Sequence, residues 1–256
     1  MDLVKELRLA VRGEVDDSQE TLARCSRDWS LFQVTPKAVV FPKDEQDIES
    51  LVSFASANHV SLTCRSGGSD MTGGPLSESV VLDMQRYFRD IQEIGKDYAV
   101  VQPGVWYRDF EKETLKHNLI LPSYPASRDL CTMGGIVANN SGGEKSLAYG
   151  KTDKYVQELR VVLADGKVHT VRALSKEELE TKKKEEGFEG DMYRKVSALI
   201  EEHGEVIREA TPKVSKNSSG YALWNVWDGN MFDLTKLFVG SQGSLGIITQ
   251  ARLHLV

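Results

Sequence analysis

The sequence predicts an α+β fold, and three observations carry that expectation. The 256 residues are 40% apolar and 27% charged, with 21 glycines and 7 prolines, an ordinary globular composition with enough apolar mass for a sizeable core. Strand and helix candidates follow one another without the regular βαβ alternation of a doubly wound sheet. An Asp165-Gly166 dipeptide between two apolar runs marks an antiparallel hairpin. The length suits one large domain or two small ones.

Taken in order, residues 1–33 read as a helical arm followed by a polar connector, with Leu3, Leu7 and Val11 on one helical face. Residues 34–41 (VTPKAVVF) read as a short strand stopped by Pro42. Asp44 is placed as the N-cap of a helix running to about His59, whose apolar positions Ile48, Leu51, Val52 and Ala55 recur at helical spacing. Residues 61–64, 79–83, 91–94 and 98–101 are strand candidates, and 106–117 is a helix. Residues 155–164 and 168–171 form the hairpin around Asp165-Gly166. Residues 175–187 and 191–210 are charged helices, and 213–230 is a polar and aromatic loop. Residues 237–239 and 247–256 close the chain as strands.

Glycine is not spread evenly. Twelve of the 21 fall in three short stretches, 65–74, 134–150 and 240–246. Glycine lets a backbone approach a ligand closely, and successive exposed N–H groups make a concave anion site. Three such stretches point to one extended ligand touched by several loops. The first, RSGGSDMTGG, directly follows a strand. Ser69 and Thr72 add hydroxyls, Arg65 either braces the loop or offsets phosphate charge, and Asp70 is expected to turn its carboxylate away from any anion, toward hydroxyls of the ligand or toward loop amides. The second is dominated by small residues from Gly134 to Gly143. Thr132, Asn139, Asn140 and Ser141 supply neutral hydrogen-bonding groups, and Met133, Ile136 and Val137 indicate a partly buried segment. The third, GSQGSLG, enters the strand at Ile247 and would by itself be a bulged hairpin.

Other chemistries are disfavoured. The formal net charge is −6 with no dense basic stripe, against a nucleic-acid partner. No apolar run reaches the roughly 18 residues of a membrane-spanning helix, and 1–11 lacks the pattern of a signal peptide, so no transmembrane segment and a cytoplasmic location are expected. The three cysteines (25, 64, 131) contain no CxxC, and the five histidines (59, 117, 169, 203, 254) form no HxxxH pair, so no metal site is expected. Gly150-Lys151-Thr152 resembles the end of a P-loop, but Lys145 stands where the first glycine belongs. No GxGxxG follows a strand and no GxSxG is present. The Lys182–Lys184 run reads as a solvated helix face, and Trp224 and Trp227 as packing residues.

Four segments in register carry a resemblance over about 34–256: RSGGSDMTGGPLSESVVLDMQRY (65–87), VQPGVWYRDF (101–110), PASRDLCTMGGIVANNSGGEKSLAYGKTDKYV (125–156) and GSQGSLGIIT (240–249). They resemble the FAD-binding domain of the vanillyl-alcohol oxidase / p-cresol methylhydroxylase (PCMH-type) superfamily, closest to the FAD-linked glycolate oxidase D-subunit and D-lactate dehydrogenase type. The resemblance implies an α+β fold of two subdomains, about 34–96 and 97–256, with an elongated FAD between them. It implies a pyrophosphate loop at Arg65, Ser66, Gly67, Gly68, Ser69 and Asp70. Thr132, Gly134, Gly135, Ala138, Asn139, Ser141 and Gly142 would form a second wall, and Ile247 would touch the adenine side through its backbone. It also implies oxidation of a small 2-hydroxyacid of the glycolate or D-lactate type by hydride transfer to flavin N5.

Two departures qualify it. Some relatives carry a flavin-linked histidine in the first loop. Here Ser69 and Asp70 stand in that loop, so non-covalent FAD is expected. The family normally continues into a cap domain that supplies the catalytic histidine and the groups for the substrate carboxylate. This chain stops at Val256, about where the cap would begin, so no catalytic residue is assigned and completion by a cap or partner subunit is expected. The alternative is a subunit that holds FAD without turnover. The reductase of cell-wall precursor synthesis, which shares this flavin fold, fits less well because no C-terminal proton donor is found.

Overall fold

The computed structural model describes residues 2–214 and 216–256. Two sheets carry the chain. The first half runs α1 (Leu3–Ala10), β1 (Glu14–Asp16), α2 (Gln19–Cys25), β2 (Ala38–Phe41), α3 (Glu45–Asn58), β3 (Leu62–Arg65) and β4 (Val80–Asp83). Its strands lie in the order β1-β2-β4-β3, with β1 antiparallel to β2 and the other pairs parallel. β2 and β4 are buried along their whole length, as expected of central parallel strands covered on both faces. The Asp44 carboxylate caps α3 by accepting from Asp47 N, and Ile48 and Leu51 bury one helix face against the sheet.

The second half begins with β5 (Ile91–Ile94), β6 (Tyr98–Val101), α4 (Tyr107–Leu115), α5 (Met133–Ala138), α6 (Ser146–Tyr149), β7 (Val156–Val162) and β8 (Val168–Ser175). It ends with α7 (Lys176–Lys184), α8 (Phe188–Glu209), β9 (Met231–Asp233), α9 (Thr235–Phe238) and β10 (Ile247–His254). Its six strands are antiparallel throughout, in the order β5-β6-β10-β7-β8-β9. The hairpin at Asp165-Gly166 forms where the sequence places it, with Gly166 at φ +70. The α+β class therefore holds, with a mixed, mainly parallel four-stranded sheet in one half and a six-stranded antiparallel sheet in the other.

Two local expectations fail. The stretch read as a polar connector after the first helix contains β1 and α2. The buried Asp47 carboxylate accepts from Arg12 N, Gly13 N and Lys43 N, which ties this segment to the start of α3. Of the residues expected to form a strand at 237–239, Leu237 and Phe238 belong instead to the end of α9 and Val239 is its C-cap. Asp233 Oδ1 accepts from Thr235 N and Thr235 Oγ1, a local turn that starts a helix where apolar content alone reads as a strand.

α3 joins the two halves. Glu45 receives a two-pronged bond from Arg160 on β7 (2.9 and 2.6 Å), and Thr249 Oγ1 on β10 donates to the same carboxylate at 2.6 Å. Glu49 accepts from Val168 N at 2.9 Å. Val162 and Ile247 of the second sheet bury their side chains in the same core as Ile48 and Leu51. The Arg160 bonds hold the Glu45 carboxyl below its ordinary pKa against the opposing effect of burial. A depressed carboxylate stabilises the fold above its unfolded pKa and loses that contribution as pH falls through its folded value. Because both side chains are about a third exposed, Glu45→Ala should cost only about 1–2 kcal/mol in urea unfolding at pH 7, with the difference from wild type closing below about pH 4.

Candidate functional site

The chain leaves the buried end of β3 into the first glycine-rich loop. Arg65 is 7% exposed and its guanidinium lies under Gly68, whose φ of +66 makes the turn. Arg65 Nη2 donates to Arg27 O at 2.8 Å, while Nη1 is buried with no partner among the described residues. Gly67 packs against the backbone of the second stretch: a Cβ there would sit 2.5 Å from Leu130 O. Ser66 Oγ is hydrogen-bonded to the wholly buried Thr132 Oγ1, and Gln85 Nε2 donates to Ser66 O. The Asp70 carboxylate turns into its own loop and accepts from Thr72 N, Thr72 Oγ1 (2.7 Å) and Gly74 N (2.8 Å). Burial pushes its pKa up, but these donors outweigh burial and hold it below the ordinary value, so it is a fixed anion.

The second stretch opens with Thr132 at the N-cap position of α5, its hydroxyl used on Ser66 rather than on the helix. Met133 N and Gly134 N donate to Val105 O and Pro103 O, both at 2.9 Å, which presses the start of α5 onto the turn before α4. The open face of Gly135 looks onto Ser66 Oγ, 2.9 Å from where a Cβ would stand. Met133, Ile136 and Val137 are buried, so this segment is a short core helix rather than a surface loop. Beyond it, Asn139 is exposed and bonds Ser141 Oγ, while Ser141 O accepts from Thr152 N and Oγ1. Gly142 lies beside Ser146 and the stem of Lys151.

The third stretch closes the site. Gly240 N donates to Val137 O at 3.1 Å and Gln242 N to Ala138 O at 2.9 Å. Gln242 Oε1 lies 3.0 Å from the Cβ position of Gly74, so the third stretch also touches the first. Segments some 65 and 175 residues apart in sequence thus meet at one place, and Arg65 through Asp70, Thr132, Gly134, Gly135 and Ala138 lie within it. Asn139, Ser141 and Gly142 form its continuation toward Lys151. Ile247 is set differently, since its side chain is in the core between the sheets and only its backbone could face a ligand.

The groups present fit the diphosphate of a dinucleotide. They offer the hydroxyls of Ser66 and Ser69, a glycine turn and a buried guanidinium with an unused nitrogen. A thiol nucleophile is not offered: burial pushes the neighbouring Cys131 up to about 11. No cluster of three His, Cys, Asp or Glu side chains among the described residues could hold a metal, and no helix among them is long and apolar enough to cross a membrane. Sequence reasoning missed residues 27–32 and Gln85, which touch the glycine loops, and did not single out Gln242 within the third stretch. Only the Asp28-x-Ser30 spacing, a turn-forming pattern, could have flagged the first of these.

The family model described as FAD binding domain matches residues 36–172. The chain is similar to D-2-hydroxyglutarate dehydrogenase of Pantoea ananatis, 30% identical over 95% of this chain and 24% of the relative. It is similar to the glycolate oxidase subunit GlcD of Bacillus subtilis, 31% identical over 99% of this chain and 44% of the relative. A D-lactate dehydrogenase of Archaeoglobus fulgidus is 27% identical over 87% of the chain. Among solved structures, an alkyldihydroxyacetonephosphate synthase superposes with a TM-score of 0.68 at 21% identity, over all of this chain and 40% of the other. The 6-hydroxy-D-nicotine oxidase of Arthrobacter nicotinovorans gives a TM-score of 0.64 at 17% identity, over 96% of this chain and 43% of the other. At those identities the superpositions establish the fold alone. The chain spans about a quarter of the length of the D-2-hydroxyglutarate dehydrogenase it matches.

Proposed function

The chain belongs to the FAD binding domain family, and from that membership we propose that it is the flavin-binding part of an oxidoreductase acting on 2-hydroxyacids. The convergence of the three glycine-rich stretches on one site is the observation that supports this most. FAD, when bound, supplies a two-electron acceptor for the hydride of a hydroxyl-bearing carbon. The chain's own residues bind and orient. The N–H groups and hydroxyls of 66–70 receive the diphosphate, Arg65 offsets part of its charge from beneath, and Thr132, Gly134 and Gly135 form the opposite wall. Ala138, Asn139, Ser141 and Gly142 extend that wall, and the Ile247 backbone serves the adenine side. With Ser69 and Asp70 in the first loop and no histidine there, the FAD is held non-covalently.

We divide the chain into an arm at 1–33 and an FAD-binding domain at 34–256, with subdomains at about 34–96 and 97–256, in a cytoplasmic protein. The two sheets, which lie within 14–83 and 91–254, support two subdomains but favour a division near residue 90, ahead of β5, and β1 of the arm pairs with β2 of the first sheet. Glycolate, D-lactate and D-2-hydroxyglutarate are the substrates to test, since the similar proteins bear those names. A second reading, a subunit that holds FAD without turnover, is favoured by the location of all five histidines outside the three stretches. Anaerobic titration of the reconstituted chain with each 2-hydroxyacid separates the two. Our reading expects bleaching at 450 nm only when the remainder of a full-length enzyme or a partner subunit is present. Bleaching of the isolated chain would refute the need for completion, and no bleaching by any of them in a completed enzyme would refute the substrate class.

A further inference from the structure

The geometry points to residues 27–32 as a strap that holds the first glycine-rich loop in its binding shape, with Asp28 as the positioning residue. The strap meets the loop at four places. Arg65 Nη2 donates to Arg27 O at 2.8 Å, Trp29 N donates to Asp70 O at 2.9 Å, and Asp28 Oδ2 accepts from Gly73 N at 3.0 Å. The Phe32 ring lies 3.2 Å from where a Cβ on Gly73 would stand, at a backbone φ of +88. These contacts fall at residues 65, 70 and 73, so the strap grips the loop at its start, its middle and near its end.

Asp28 works in two directions. Its Oδ1 accepts from Ser30 N at 2.8 Å and so shapes the strap, while its Oδ2 reaches the loop. The strap is closed on itself by Val34 N donating to Ser26 O at 3.0 Å. Asp70 orders 70–74 from within and Asp28 orders the same turn from outside. Trp29 and Phe32 are 60% and 59% exposed, so the strap has little share in either core and can be loosened without unfolding the sheets. An ordered loop presents its N–H groups to an anion without a further ordering cost at binding, which is how the strap would raise affinity.

The inference rests on the FAD reading for its consequence but not for its structural content, and two measurements keep them apart. Amide hydrogen exchange of the chain without flavin should show residues 66–74 exchanging at least about tenfold faster in Asp28→Ala than in wild type, with β7 and β10 unchanged. Flavin-fluorescence titration should show FAD affinity about tenfold weaker in Asp28→Ala and an intermediate loss in Asp28→Asn, whose single amide oxygen can accept from Ser30 N or from Gly73 N but not from both. Trp29→Pro, which deletes the N–H given to Asp70 O, should loosen the same amides if Asp28→Ala does not fold. Unchanged exchange at 66–74 would overturn the strap, as would an affinity loss accompanied by faster exchange across β7 and β10. If wild-type chain binds no FAD while the exchange result holds, the FAD reading fails and the strap stands.

Discussion

Gly67→Ala is expected to weaken FAD binding roughly 10- to 100-fold, the equivalent of about 1–3 kcal/mol of overpacking. The added methyl would stand 2.5 Å from Leu130 O and 3.2 Å from Cys131 Cα. Both are backbone atoms of a segment fixed on either side. Cys131 N donates to Ser127 O, Cys131 O accepts from Tyr107 N, and Met133 N is tied to Val105 O. No side-chain rotation can relieve the contact, so the two glycine-rich stretches must separate. Their separation also breaks the Ser66–Thr132 hydroxyl bond. Gly204→Ala is the control. Its methyl meets only the far end of Arg208, at 3.4 Å, within α8. That variant should bind FAD as wild type does. Titration by flavin fluorescence, with thermal unfolding of each apo variant alongside, checks both. Equal FAD affinity for the two alanine variants would contradict the site.

Asp70→Ala is expected to weaken FAD binding by about tenfold or more, although it removes a negative charge beside the proposed diphosphate. Two effects oppose each other here. The carboxylate repels an anion, yet it satisfies three donors of its own loop. Two of the three bonds hold backbone amides in place, and each bond to a charged acceptor contributes about 1.5–3 kcal/mol, more than a screened repulsion at a half-exposed site. Asp70→Asn separates the effects, because it keeps an acceptor while removing the charge. It should bind FAD as well as wild type or better. The pH dependence has a definite sign. A carboxyl held below its ordinary pKa orders the loop at all pH values above that ordinary value and ceases to do so as pH falls through the depressed one. FAD retention should therefore be flat from about pH 8 to 5 and fall below about pH 4. Tighter binding by Asp70→Ala would mean that repulsion dominates and that loop order does not limit affinity.

The parts of the fold that were legible in the sequence have local causes. Asp44 caps α3 because its side chain reaches an amide three residues on, and Asp165-Gly166 turns the β7–β8 hairpin because glycine accepts a positive φ there. The three glycine-rich stretches were visible because glycine density needs no tertiary information. Elements with distant causes were not legible. β1 is three residues long and exists through pairing with β2. Of the residues expected to be a strand at 237–239, Leu237 and Phe238 are helical because of a side-chain turn at Asp233. The strap residues carry no glycine, and their connection to the loop spans some 45 positions, from Asp28 to Gly73. The meeting of Ser66 with Thr132 likewise depends on how α5 packs, which no local pattern encodes.

Arg65–Asp70, Thr132–Gly142 and the segment at 240–247 are proposed to hold FAD together, without a covalent bond. An absorbance spectrum of the purified chain after reconstitution with FAD and gel filtration, repeated on the supernatant and pellet of acid precipitation, tests it most directly. Flavin bands should co-elute with the protein and pass entirely into the acid supernatant. Bands that stay with the pellet would contradict non-covalent binding, and a chain that elutes without flavin would contradict the site itself.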